Sequence, residues 1–450
     1  MIPARVLWDA ARRGAGTFAV GAAVGVLVGA VELLAVPVSA PDALASGGLW
    51  FLLFHHAALT IELPPLPGAG ATVLSVGAAL MLGTLLAGWL LLLAGRRTAR
   101  PVRAWWPGAM VAGSLVAVPY ALLSFVLALV VGGVSPEVPA AAPPGVVAIV
   151  RPSPWSALVW TLLVGLLCGS LGGLATGLTR PRDPRRALLA GGWRMAWTAV
   201  ALSFTGLLVV AAVHPSATRA YFDRAFGGGP DRGTVVLTAA AMVAPNATTW
   251  ALAAAMGGSL RLGVLDQSCT LLSYGHFPRP IDGPGEVAAR ACGRGLEGAP
   301  PGYFLFLLVP LASTVTGGHF AVRRAGLLAR RPGALMGAGA GVVGAAVITG
   351  LMVLARVTVE ASGPAGILFG EASLGPDLAS GSAVALLWGV TGGAVGGVMA
   401  AGRATGPVGP GPVGDASARG AYGAGGGAAG GGAAGGGAMV LLSWKRSQAP

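Results

Sequence analysis

Apolar runs that are long enough to cross a lipid bilayer recur along this chain. A helix needs about 18 or more apolar residues to cross roughly 30 Å of hydrocarbon. Only 10% of the 450 residues are charged and 54% are hydrophobic, whereas soluble domains carry about 25% charged residues. The sequence therefore predicts an all-α polytopic membrane protein with about eight transmembrane helices. The predicted spans are 15–37, 70–94, 109–133, 156–178, 195–213, 303–321, 334–354 and 379–401.

Three other segments do not fit this pattern. The stretches 47–60 and 233–263 are apolar but do not fit as simple spans. After about residue 402 the chain becomes low in complexity, with the run GAGGGAAGGGAAGGGA. Such a composition buries too little apolar surface to fold, so residues 403–450 are predicted to form a disordered cytoplasmic tail.

Arginine clusters between the spans predict the orientation. The clusters before the first span and after the second, fourth, sixth and eighth spans contain most of the basic residues. They are Arg5, Arg12, Arg13, Arg96, Arg97, Arg100, Arg103, Arg180, Arg182, Arg185, Arg186, Arg194, Arg323, Arg324, Arg330, Arg331, Arg403, Arg419, Lys445 and Arg446. The acidic residues among them are Asp9, Asp183 and Asp415. Because basic loops are retained in the cytoplasm, we expect a plasma-membrane protein with both termini on the cytoplasmic side.

This orientation constrains the segment 233–263. The preceding span ends outside and the following span must end inside, so 233–263 has to begin and end outside. It is predicted to dip into the membrane or to lie at the outer interface, with Pro245 and Asn246 at the turn, because proline interrupts helical hydrogen bonding. The alternative is one continuous helix kinked by Pro245, which requires another crossing within 264–302.

The same argument predicts that 47–60 does not cross. Each half then has an outward span, a non-crossing segment, an inward span with an arginine loop, and two more spans. We therefore expect a parallel repeat of four plus four spans, with 1–190 as the first membrane repeat and 191–402 as the second. An outer loop over 264–302 belongs to the second repeat.

Three short segments carry a resemblance to known proteins. Trp50 with the following FHHAAL, the arginine loop after the second span, and the segment APNATTWALAAAMGG are similar to the streptophobe family of actinobacterial hydrophobic membrane proteins. They resemble more distantly the PerM-type family of division-associated membrane proteins. That family continues its Pro-Asn-Ala segment into Gly-Pro-Gly-Phe, whereas this chain has Gly257-Gly258-Ser259. Neither resemblance implies a known reaction.

Candidate binding residues are the polar groups near or within the apolar segments. They are Asn246, Thr248, Thr249, Trp250, His55, His56 and Glu32. Charged groups inside membranes are functional candidates, although Glu32 lies near the outer end of its span and can instead reach the lipid headgroups. The histidines at 55, 56, 214 and 276 could share a metal with two thiolates, but no recognised ligand spacing supports this, so no metal is predicted.

The cysteines divide between two environments. Cys269 and Cys292 lie in the predicted outer loop, where an oxidising exterior permits a disulfide. The bridge would close a loop of about 24 residues and contribute about 3 kcal/mol; two free thiols are the alternative. Cys168 lies in the fourth span, where we expect it to be a packing residue.

No catalytic constellation is visible in the sequence. Nucleophile elbows, phosphate-binding loops and His-Glu-x-x-His motifs are missing from it, so we expect no enzyme activity and no cofactor. The arginines are explained by orientation, so no nucleic-acid partner is predicted. The expected partners are the lipid bilayer and other envelope membrane proteins. The first hypothesis is a non-enzymatic envelope assembly or stabilising factor; the alternative is a transporter or channel for a small solute.

Overall fold

The structure is a computed structural model. It describes residues 3–35, 40–63, 72–78, 80–102, 105–133, 149–177, 183–213, 215–216, 233–264, 267–272, 276–277, 297–298, 305–362 and 371–403. Residues 404–450 of the predicted disordered tail and Cys292 lie outside these residues, as do the side chains of Glu32 and Cys269. Arg403, the first residue of that predicted tail, is helical.

Helices make up most of the described chain. They are α1 (Ala4–Ala35), α2 (Ala40–Leu53), α3 (Met81–Thr98), α4 (Trp106–Ser114), α5 (Ala117–Val131), α6 (Pro154–Gly177), α7 (Pro184–Val213), α8 (Gly233–Met256), α9 (Leu308–Ala325), α10 (Arg330–Leu354) and α11 (Leu378–Arg403). The strands are β1 (Leu59–Leu63), β2 (Thr72–Gly77), β3 (Ile149–Pro152), β4 (Leu260–Val264), β5 (Gln267–Leu272), β6 (His276–Phe277), β7 (Glu297–Gly298), β8 (Val357–Ser362) and β9 (Glu371–Pro376).

Seven helical segments within the described residues are long and apolar enough to cross a membrane, which makes this a multi-pass membrane protein. They are Ala4–Val31, Trp106–Val131, Pro154–Gly177, Pro184–Val213, Leu305–Ala325, Arg330–Leu354 and Leu378–Gly402. Each overlaps one of the eight predicted spans. Their outward-facing side chains include many exposed leucines, valines and tryptophans, as expected for helices that face lipid.

The remaining predicted span, 70–94, has the wrong boundaries. Its first part is the strand β2, and the helix α3 begins only at Met81. The sequence Thr-Val-Leu-Ser-Val-Gly of β2 is apolar, so hydropathy alone joins it to the apolar helix that follows. Its β-branched residues favour a strand when a partner is present. α3 has 18 residues and two arginines in its last turn.

The prediction of an all-α fold is also wrong in one respect, because strands assemble into an antiparallel sheet. Seven strands in the described residues follow the order β3-β1-β2-β8-β9-β4-β5. Strands β1 to β3 come from the first half of the chain and the other four from the second half. β2 and β8 join the two sets, with Ser75 opposite Glu360. The strands are only four to six residues long, so their period-2 signal is weak beside the long helical runs.

Close helix packing depends on glycine. In α10 and α11 a Cβ added to Gly389 would lie 2.5 Å from the carbonyl oxygen of Gly341. In α5 and α6 a Cβ added to Gly165 would lie 2.8 Å from the Cβ of Ala117. Small residues let membrane helices approach in this way, which replaces the hydrophobic driving force that lipid does not provide.

The predicted outer loop 264–302 is described only in part. β5, β6 and β7 lie within it, and β6 pairs with β7. The pairing of Cys269 with Cys292 therefore stays a prediction. Cys168 is a free thiol in α6 and packs against a cluster of buried side chains in the first half, as expected for a packing residue.

Candidate functional site

Two predicted site residues, His55 and His56, form the turn that ends α2. The backbone N–H of His56 donates to Leu53 O over 3.3 Å, and that of Ala57 donates to Leu52 O over 3.3 Å. This is the pattern that ends helices at a left-handed residue. His56 has a φ of 61°, a conformation that glycine adopts more easily. The turn reverses the chain and sends it into β1.

His55 is completely enclosed and bonded on both ring nitrogens. Its Nδ1 lies 2.7 Å from Phe51 O, and its Nε2 lies 2.5 Å from the hydroxyl oxygen of Tyr120. A carbonyl oxygen can only accept, so Nδ1 carries the hydrogen and Nε2 accepts the Tyr120 hydroxyl. Burial lowers the pKa of His55 to about 4, which favours this neutral form.

His56 is buried against a different partner. Its ring stacks on Trp160, with 4.6 Å between centroids and 9° between planes. Its Nδ1 is buried and has no hydrogen-bond partner among the described residues. Burial lowers the pKa of His56 as well, so the ring is neutral near neutral pH. A Cβ added to Gly77 would lie 3.6 Å from Cε1 of His56, which places this ring beside the end of β2.

The predicted break at Pro245 and Asn246 is wrong, because α8 is continuous from Gly233 to Met256 with Pro245 inside it. Proline removes one helical donor but does not prevent a helix from continuing when other groups support the chain. The Oδ1 of Asn246 accepts the backbone N–H of Met81 over 3.1 Å.

The two threonines after Asn246 bond within their own helix. Thr248 donates to Ala244 O over 2.8 Å, and Thr249 donates to Pro245 O over 2.9 Å. Both side chains are buried, with 1% of their surface exposed. A hydroxyl in an apolar setting is often satisfied in this way by the preceding helical turn.

Trp250 connects α8 to a neighbouring helix end. Its Nε1–H donates to Ala355 O over 2.9 Å, where α10 ends. Trp388 of α11 similarly donates to Met256 O at the end of α8, over 3.0 Å. Indole donors therefore satisfy carbonyl groups that have no partner within their own helix.

The start of α3 brings the two predicted groups of residues together. Leu80 N–H donates to Leu53 O over 3.2 Å, just before the histidine turn. The next N–H, that of Met81, donates to Asn246 in α8. Thr84 adds a hydroxyl bond to Phe54 O. α3 has no side-chain cap from its own N-cap residue, so segments distant in the chain supply the missing acceptors.

Sequence reasoning missed the partners of these residues. Tyr120, Trp160 and Met81 lie in or beside apolar runs, where nothing local indicates a polar contact. The described residues contain no group of three or more histidine, cysteine or acidic side chains that could hold a metal ion. No protein-family model, curated protein or solved structure matches the chain.

Proposed function

We propose that this chain is a non-enzymatic plasma-membrane protein that acts as an assembly or stabilising factor for other envelope membrane proteins. The observation that carries the proposal is that polar side chains in the interior are used for bonds between segments of the protein. Asn246, His55 and Trp250 all bond to protein groups. Side chains that bind a transported solute need polar atoms directed at a pathway, whereas these atoms hold helices together.

A tandem repeat of four plus four spans is part of the proposal, supported by matching strand geometry. Leu59 of β1 pairs with Pro152 of β3, and Leu260 of β4 pairs with Pro376 of β9. In each case the chain then enters a helix through a 2.8 Å backbone bond: Ser153 N–H donates to Ala58 O, and Asp377 N–H donates to Ser259 O.

Glycine spacing in the two last helices of the halves supports the same repeat. α6 carries Gly165, Gly169, Gly172 and Gly173, and α11 carries Gly389, Gly393, Gly396 and Gly397. The two sets have identical spacing, and in each set the glycines lie in close contact with the backbone of a helix that comes earlier in the chain. A Cβ on Gly169 would lie 2.5 Å from Gly113 O. Matched spacing and matched contacts are more specific than the general abundance of glycine in this chain.

We propose further that α2 and α8 enter the membrane from outside and turn back. α2 runs antiparallel to α1, since a Cβ on Gly25 would lie 3.0 Å from Phe51 Cβ and one on Gly29 would lie 2.9 Å from Gly47 N. His55, at the end of α2, reaches Tyr120 inside the candidate span Trp106–Val131.

The end of α8 lies at a similar depth. Met256 bonds to Trp388, which is about 15 Å along α11 from its first residue. Gly257 then turns the chain into β4 with a φ of 98°, in the same role as His56. With helix entry and strand return, no sharp break within α8 is needed. In this proposal α3 is an eighth crossing beside the seven candidate spans, which keeps both termini on the cytoplasmic side.

The sheet at the outer end is the proposed surface for partners. Glu360 and Glu371 are exposed on neighbouring strands of it. Membership in the streptophobe family, an actinobacterial source and the plasma-membrane location belong to the same proposal, and rest on the segments around Trp50 and Asn246 and on the arginine loops.

Site-specific photocrosslinking tests the assembly role. A photoreactive residue at Glu360 should give a discrete adduct with another envelope membrane protein in native membranes, and Glu371 should give the same adduct. Leu167 is the control, because it is exposed on α6 within a candidate span and faces lipid in this account. Adducts that are equally abundant at all three positions, or absent at both glutamates, would contradict the proposed role.

The second candidate function is transport of a small solute. One observation favours it: Nδ1 of His56 is buried and unpaired within the described residues, beside the glycine that ends β2. Uptake of a small neutral solute into proteoliposomes, abolished by His56→Phe and retained by Glu62→Gln, would favour transport over assembly. We place this second because a single unpaired nitrogen does not line a pathway.

A further inference from the structure

A cleft at one end of the molecule brings two arginines together outside the site described above. Arg261 in β4 and Arg356, just after α10, line it together with Ser373, Asp377, Gly263 and Gly375. Arg261 lies opposite Gly375 in the β4–β9 pair, and Gly263 lies opposite Ser373. Side chains alternate between the faces of a strand, so these four residues share one face of the sheet.

The two glycines keep this face open. A Cβ added to Gly375 would lie 3.0 Å from both Cα and Cγ of Arg356, and one added to Gly263 would lie 2.9 Å from Oγ of Ser373. Side chains at these positions would fill the floor of the cleft and displace the Arg356 side chain. Glycine within a strand often marks a place where another group approaches the backbone closely.

The donors in the cleft are only partly used. Arg356 Nη2 donates to Ser373 Oγ over 3.1 Å, and this leaves the hydroxyl hydrogen of Ser373 available to a further acceptor. Arg261 Nη1 lies 3.6 Å from Oδ1 of Asp377, with about half of its side chain exposed. Among the residues that line the cleft, two guanidinium groups thus face one carboxylate. Glu371 lies on the same face of β9, two residues before Ser373, outside that lining.

We propose that this cleft binds a phosphate group, held between the guanidinium groups of Arg261 and Arg356 with the Ser373 hydroxyl as a third donor. Guanidinium groups present several N–H donors in a planar array that suits phosphate oxygens. Asp377 competes with the anion for Arg261. Its Oδ2 also accepts the N–H of Ser380 over 3.1 Å, so it caps α11 as well.

The position of the cleft indicates where such a phosphate would come from. Arg356 lies two residues beyond the end of α10, and Leu378 at the edge of the cleft is the first residue of α11. Both helices are candidate spans, so the cleft lies where two spans end together. Lipid headgroups occupy this level, so a lipid phosphodiester is within reach, as is a free phosphate from the aqueous side.

Binding measurements on the full chain in an uncharged detergent test the proposal. The probes are inorganic phosphate, glycerol phosphate and a short-chain phosphatidylglycerol, each titrated against sodium chloride at matched ionic strength, because salt alone screens exposed charges. Saturable binding by at least one phosphate probe is expected. Binding of the lipid alone identifies a headgroup site, and binding of inorganic phosphate identifies a site for the free anion.

Variants distinguish binding of phosphate in the cleft from general attraction of anions to a basic protein. Arg261→Gln and Arg356→Gln should each weaken the binding by about tenfold or more, since each removes charge-assisted hydrogen bonds. Arg151→Gln should leave it unchanged, because Arg151 pairs with Glu62 elsewhere on the sheet.

Asp377→Asn provides the second readout, since asparagine retains an oxygen that can cap α11. This variant should bind the phosphate probe several-fold more tightly, because it removes the competing carboxylate. Absence of saturable binding by every probe overturns the proposal. So does equal weakening by Arg151→Gln and the two cleft variants, or a failure of Asp377→Asn to tighten binding.

Discussion

The side-chain Oδ1 of Asn246 accepts the backbone N–H of Met81 over 3.1 Å, although the two residues are 165 positions apart in the chain. Met81 is the first residue of α3, where backbone donors have no partner within the helix. A helix in the first half of the chain is therefore capped by a helix in the second half. Asn246 is buried in the apolar interior, where an unpaired donor would be costly.

We expect Asn246→Leu to lower the free energy of unfolding by about 1–3 kcal/mol, because Met81 N–H would lose its acceptor in a buried setting. Thermal unfolding in detergent provides the measurement. Thr391→Val is the control, since Thr391 is exposed on α11 and donates to Leu387 O in the preceding turn of its own helix. A higher melting temperature for Asn246→Leu than for the parent would contradict the capping role.

The enclosed His55 predicts how stability depends on pH. The pKa of His55 is about 4 in the folded protein, and about 6.5 is usual in an unfolded chain. The unfolded state therefore binds more protons between these values. Stability should be complete above about pH 6.5 and should fall progressively as the pH falls towards 4.

A series of denaturation curves in one detergent between pH 4 and pH 8 measures this profile. His55→Gln should reduce the slope in that range, while His56, whose pKa is also lowered by burial, still contributes a slope of the same sign. A parent profile that is flat between pH 4 and pH 6.5 would disagree with the enclosed neutral imidazole.

Glycine packing between α10 and α11 predicts a position-dependent effect of alanine. Gly389→Ala should destabilise the protein by about 1–3 kcal/mol, because the new Cβ would overlap Gly341 O. Gly350→Ala, in the neighbouring helix α10, is the control. A Cβ at Gly350 meets nothing within 4 Å, so alanine should be neutral or stabilise the helix by up to about 1 kcal/mol. Equal effects of the two substitutions would show that close packing is not the cause.

The shared sheet predicts which residues lie on the same side of the membrane. In a variant whose own accessible cysteines are removed, Glu62→Cys and Glu360→Cys should both react with an impermeant maleimide on intact cells. Arg330→Cys, at the other end of α10, should react only after permeabilisation. Labelling of Glu62→Cys and Glu360→Cys on opposite sides would be incompatible with strands that belong to one sheet.

Local sequence patterns were sufficient for part of this fold. Seven of the predicted spans correspond to candidate membrane helices. They were predictable because the thickness of the bilayer sets the length of the apolar run that a spanning helix needs. Hydropathy alone does not separate the short strand β2 from the start of α3, because both are apolar. Its partner strands β1 and β8 are the reason it is extended, and β8 lies far along the chain.

The candidate site was predicted only as a set of polar residues. Asn246, Thr248 and Thr249 were identified because polar groups are costly in a membrane, and all three are buried. Their roles could not be predicted, since Pro245 indicates a break when the chain is considered locally. The bond from Asn246 to Met81 depends on tertiary packing, and a local pattern contains no information about such a partner.

We propose that the interior is a fixed scaffold rather than a moving pathway. Double electron–electron resonance in lipid nanodiscs tests it most directly, with one pair of spin labels at Arg97 and Arg330 and another at Glu62 and Glu360. A fixed scaffold predicts a single narrow distance distribution for each pair. Two distance populations for each pair, with one pair moving apart as the other moves together, would contradict the scaffold. Alternating access requires this reciprocal change at the two sides of the membrane.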